Sequence, residues 1–167
     1  MVTGFPFVKT EGKVYQLSRS PIQESPRRGR GARRRNHMAD HPNATLLRNG
    51  YEAFGKGDMA TITELFSEDV VWHVPGDSQI SGEHRGRDAV FAIFARTTQL
   101  SEGTFKIDVH DVVANDVHAV ALTRATASRQ GKQYDAMDTD VYHVSGGKVT
   151  EFWSFAEDTK KADEFWS

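Results

Sequence analysis

The chain contains no cysteine. That excludes disulfides, thiolate zinc sites and a cysteine nucleophile. No apolar run approaches the roughly 20 residues of a membrane span, and the N-terminus has no unbroken apolar core of the kind a signal peptide needs. A glycine-rich nucleotide pattern is also missing, and Gly82, Arg85, Gly86 and Arg87 read as the entry to a helix. The histidines at 73, 110, 118 and 143 are scattered without ligand spacing, so no metal is predicted. These absences lead to the expectation of a soluble, cytoplasmic protein without cofactor or membrane attachment.

A net charge of −2 conceals two different materials. Residues 1–37 carry nine Lys/Arg against two Asp/Glu, while the remainder carries twelve against twenty-one. The first segment ends in PRRGRGARRRN, has no sustained period and has little to bury, so it is expected to be a disordered basic extension. Residues 38–167 form the second material, a single domain of ordinary size with Met38 as its expected start. Its acidic balance argues against nucleic acid as a partner of the domain.

From Asn43 the text is helical, with Leu46, Leu47, Gly50, Tyr51 and Phe54 on one face. Gly55 and Gly57 stop that helix, and Asp58 caps a second one carrying Met59, Ile62, Leu65 and Phe66. A short strand is predicted over 69–74, a polar loop over 77–87 and a third helix over 88–100. Residues 104–155 then read as a four-strand antiparallel meander whose turns are Asn115-Asp116, Gln130-Gly131 and Gly146-Gly147. The tail is polar until Phe165 and Trp166, which dock only if it turns back on the body. The order is that of an α+β domain: three helices packed on a curved meander plus one short strand, with a space left between the layers.

Alternation assigns faces within the meander. Phe105, Ile107, Val109, Asp111 and Val113 fall on one face of its first strand. On the third strand Asp138, Asp140 and Tyr142 share a face, a row of two carboxylates and a phenol. Arg124 stands among Ala121, Thr123, Ala125 and Ala127, with Asp138 or Asp140 as its expected anionic partner, in an ion pair or a substrate clamp. His73 is set opposite Trp72 and Val74 and reads as structural. The last strand is apolar on both sides, Phe152 opposing Trp153 and Phe155, which together with the small residues beside Arg124 predicts a homodimer.

Three stretches, NGYEAFGKGDMATITELFSEDVVWHVPG, SGEHRGRDAVFAIF and VYHVSGGKVTEFWSF, make the chain resemble the nuclear transport factor 2-like superfamily, and within it the SnoaL-like and ketosteroid-isomerase-like proteins. The resemblance implies the cone-shaped, cystatin-like α+β roll and a small-molecule pocket. Against the isomerase pattern, Val74 falls at the general base, Gly50 falls at the first-helix tyrosine with Tyr51 adjacent, and Asp140 falls at the buried protonated acid. Against the limonene-type epoxide hydrolases, Arg124 fits the arginine while Thr126 and Ser154 replace both aspartates. The SnoaL-type cyclases need one acidic residue, for which Asp138 and Asp140 are the candidates.

The expected site therefore has Asp140 and Asp138 as acid/base groups. Trp72, Val74, Phe94, Arg124, Tyr142 and Phe152 are expected to bind an apolar, oxygen-bearing ligand. The alternative is a non-catalytic binding or dimerisation module. The sequence leaves open which sheet face lines the pocket.

Overall fold

The structure, a computed structural model, describes residues 40–167. The basic segment assigned to 1–37 lies outside the described residues. The elements are α1 (Pro42–Lys56), α2 (Met59–Leu65), β1 (Phe66–Val74), β2 (Gly82–Arg85), α3 (Arg87–Leu100), β3 (Lys106–Ala114), β4 (His118–Arg129), β5 (Lys132–Ser145), β6 (Lys148–Ala156) and α4 (Thr159–Trp166).

Local chemistry places the helix ends. Pro42 opens α1 where its missing N–H costs nothing, and Gly57, at φ 68°, closes it. Gly57 alone is the stop, since Gly55 lies within the helix. Asp58 caps α2 by accepting from the Thr61 N–H at 3.1 Å, and Asp158 does the same for α4 with the Lys161 N–H at 3.0 Å.

One sheet has the order β2-β1-β6-β5-β4-β3, in which β3 to β6 are the expected antiparallel meander and β1 joins β6 in parallel. The fold is α+β, as the element order predicts. Helix α1 packs on β3 and β4, α3 on β1, and α4 on β5 and β6, which gives the sheet a helix-covered inner face and an outer face that none of the described helices covers. Among the described residues no helix is long and apolar enough to cross a membrane.

Several details differ from the sequence reading. The segment expected to be a polar loop contains β2, a four-residue edge strand too short and polar to show a period. Strand β1 begins directly at Phe66, which was assigned to the second helix. The tail forms a fourth helix, and Phe165 and Trp166 are both buried. On β3 the register slips between Val109 and Asp111, so Val112 is buried while Val113 is 60% exposed. A bulge inserts one residue, and every side chain beyond it changes face. The Asn115-Asp116 turn needs no positive φ, because Asn115 Oδ1 accepts from the N–H groups of Val117 (2.9 Å) and His118 (2.7 Å).

Candidate functional site

A cavity of about 180 Å³ lies between the inner face of the sheet and the helices. Trp72 and Phe152, opposite one another on β1 and β6, stack along one wall with centroids 3.7 Å apart and planes at 17°. Phe94 of α3 meets Trp72 edge-on at 5.4 Å. Aromatic pairs of this kind contribute about 0.5–1.5 kcal/mol beyond their burial, which makes the wall a fixed surface. Val74 completes that side.

One end of the cavity is polar. Asp140, 6% exposed, accepts a hydrogen bond from the Tyr51 hydroxyl at 2.7 Å. The Tyr142 hydroxyl lies 2.6 Å from that of Tyr51, and because Tyr51 gives its proton to Asp140, Tyr142 donates in this second bond. Thr123 Oγ1 sits 3.5 Å from the same carboxylate oxygen. Burial pushes the Asp140 carboxyl up to about 6, and the hydroxyls of Tyr51, Ser154 and Thr123 hold it from rising further. Burial foremost, with the Asp140 charge, keeps the Tyr51 and Tyr142 phenols well above their ordinary range, so both remain protonated donors.

Asp138 is differently placed. It lines the same cavity two residues along β5, and its Oδ1 is buried with no hydrogen-bond partner among the described residues. Burial pushes its carboxyl up to about 7, and the charges of Asp140 and Glu157 add to the effect. Burial is thus the first cause at both carboxyls, and Asp140 has in addition hydroxyl partners that favour its charged form.

Arg124 is not part of the site. It lies on the outer face, exposed, and its Nε donates to Asp135 Oδ1 at 2.7 Å. The register explains the correction: Thr123 is the β4 residue opposite Asp138, whereas Arg124 is opposite Met137 and points away. The flanking Ala121, Thr123, Ala125 and Ala127 are buried on the inner face, so they do not admit a second subunit. His73 also faces outward, stacked on Trp153 at 5.1 Å with its Nε2 3.0 Å from Glu151 Oε1.

The residue that the sequence reading passed over is Tyr51. Gly50 faces α2, where any side chain would run into Leu65, and this turns Tyr51 toward Asp140. The signal was present in the helical stripe Leu47, Tyr51, Phe54. Thr123, alone polar among the inner-face alanines of β4, was a second available signal.

Residues 47–152, which include Tyr51, Trp72, Asp138, Asp140 and Tyr142 of this cavity, are matched by the SnoaL-like domain family, while Ser154, Ala156, Ala162 and Trp166 of its lining lie beyond the matched span. An uncharacterized protein of Mycobacterium tuberculosis is 34% identical over 131 residues, covering 78% of this chain and 100% of the relative. Bal32a, from a soil-derived mobile gene cassette, is 41% identical with a TM-score of 0.73 over 75% of this chain and 97% of its own. An NTF2-like protein of Burkholderia xenovorans shares the fold at 21% identity, with a TM-score of 0.66 over 78% of this chain and 99% of its own.

Proposed function

The chain belongs to the SnoaL-like domain family, and from that premise we propose that its cavity binds an apolar, oxygen-bearing small molecule and exchanges a proton with it, in a cofactor-free isomerisation or cyclisation. The observation that carries this reading is Asp138: a buried carboxyl oxygen without a hydrogen-bond partner among the described residues, in a cavity with an aromatic wall on one side and the Tyr51–Asp140–Tyr142 group at one end. A group raised to about 7 is divided between acid and base near neutrality, the condition under which proton transfer is most effective. Asp140 supports the reading from behind. Its Oδ2 is engaged by Tyr51, with Thr123 at 3.5 Å, so it anchors Tyr51, which in turn holds Tyr142, and leaves the ligand to Asp138.

Binding of 1-naphthol, followed by tryptophan fluorescence between about pH 5 and pH 8, tests this. Affinity should change through the titration of Asp138, and Asp138→Asn should remove the part of the change centred near 7, leaving only what Asp140 contributes near 6. An unaltered profile in that variant, or no binding at all, sinks the acid/base reading. The isomerase-type base position is occupied by Val74, which cannot move a proton, so the proposal assigns none of the chemistry to it.

A second reading concerns the outer face. Val113, Leu122, Met137 and Phe155 are 60%, 41%, 45% and 57% exposed. Leu122, Thr139 and Phe155 form one cross-strand row, and Val113, Val120, Val141 and Trp153 form the next. This apolar surface supports a homodimer formed through the sheet.

A further inference from the structure

Helix α4 takes part in the cavity through its C-terminal end. The inner-face residues of β5 run Tyr142, Asp140, Asp138, Ala136, Tyr134. At about 3.4 Å per residue, Tyr134 lies roughly 20 Å from Asp140. Trp166 stands at the Tyr134 end, 4% exposed and lining the cavity, with ring centroids 5.9 Å from Tyr134 and 5.6 Å from Phe105.

A helix of eight residues is not stable alone, so its position depends on what holds it. Arg129 Nη1 donates to the carbonyls of Phe165 (2.8 Å) and Ser167 (2.6 Å), and Lys132 Nζ donates to that of Glu164 (3.3 Å). These cations meet the negative end of the helix. The Asp163 carboxylate accepts from the Asp77 N–H at 2.8 Å, beside Gly76, where any side chain would overlap it. Gly76 is at φ 97°, so the close approach and the backbone both require glycine there. Polar ties on both sides of α4 fix the Trp166 ring as a wall.

The size of what remains is decisive. A cavity of about 180 Å³ is close to the roughly 150 Å³ that accommodates benzene in an engineered core. It falls below the roughly 300–1,000 Å³ that encloses drug-sized ligands. We propose that Trp166 is a specificity-determining residue that ends the cavity opposite Tyr51 and Tyr142 and restricts the ligand to a compound of one or two rings bearing an oxygen. This inference rests on the ligand-binding reading above and adds the ligand's size class to it.

Phenol, 1-naphthol and 1-hydroxyanthraquinone offer one hydroxyl on one, two and three rings, and their binding to the full chain by calorimetry is the test. Wild type should bind 1-naphthol at least tenfold more tightly than the three-ring compound. Trp166→Ala should shift the ratio of three-ring to 1-naphthol affinity tenfold or more toward the three-ring compound. Trp166→Leu, which keeps an apolar contact, should give a smaller gain in the same direction and serves if the alanine variant melts early. Equal affinity of wild type for two and three rings overturns the size inference, as does an unchanged ratio in a folded variant. If 1-naphthol binding depends on Asp138 while ring number has no effect, only the role of Trp166 fails. If no compound binds any of the proteins, the ligand-binding reading fails with it.

Discussion

Asp135 and Asp138 stand three residues apart on β5 and meet opposite environments. Asp135 faces outward, where the hydrogen bond from Arg124, foremost, and its charge hold the carboxyl below the usual range. Asp138 faces inward, where burial, Asp140 and Glu157 drive it up to about 7. The two residues are chemically identical, and the sheet assigns them different work by parity alone. An exposed acid with an arginine beside it is a surface ion pair of small consequence. A buried acid without a cation is a proton-exchange group whose ionisation the fold resists.

The largest expected effect is in proton affinity. Carboxyl-carbon NMR on the full chain should place the two midpoints more than three pH units apart, a difference of over a thousandfold in proton binding, with Asp135 below about 3.8 and Asp138 near 7. Midpoints within one unit of each other would erase the contrast between the faces. Asp138 and Asp140 share a cavity, so assignment requires Asp140→Asn as a second sample.

The next effect asks whether the outer face is as open as a single chain makes it. Sedimentation velocity at tens of micromolar should show a dimer. Leu122→Asp with Phe155→Asp should raise its dissociation constant by about a hundredfold, a tenfold step for each charge brought to an apolar contact. A wild-type monomer at that concentration would remove the partner, leaving the outer row covered, among the described residues, only where His73 and His143 pack on Trp153.

How far such contrasts are legible in sequence depends on what sets each face. The row Asp138, Asp140, Tyr142 follows from period-two alternation because β5 pairs with β4 without interruption, and the Gly and Asp punctuation marks most helix ends and turns. On β3 the same rule fails beyond the bulge, since a backbone irregularity leaves no mark in composition. Arg124 was misplaced because an arginine's partner is fixed by register, which no single strand encodes. Tyr51 was missed by one residue of helical phase, about 100° of rotation, and the Gly50 contact with Leu65 that sets this phase is tertiary. Strand β2 and helix α4 are too short for a period to show, and each exists through what it packs against.

The last effect concerns Asp140 and tests whether burial or hydrogen bonding governs the inner face. Its folded value, about 6, lies above the roughly 3.9 of an unfolded aspartate, so the folded state holds the proton more tightly. The associated stability is therefore complete below about pH 4, falls as pH rises through about 6, and is absent beyond. Asn cannot ionise and escapes that loss. Asp140→Asn should accordingly raise stability at pH 8 by about 3 kcal/mol, and should give no gain at pH 4, as read by urea unfolding at both values. Asp135→Asn is the outward counterpart, where the sign reverses: a depressed carboxyl stabilises above the unfolded value and loses that contribution as pH falls. Exposure and solvent screening should make its effect hard to detect at either pH. Loss of stability in Asp140→Asn at pH 8 would mean that the hydroxyls of Tyr51, Ser154 and Thr123 favour the carboxylate more than burial opposes it. The two faces of β5 would then differ in the donors they offer, hydroxyls inside and a guanidinium outside, and not in the sign of their effect on an acid.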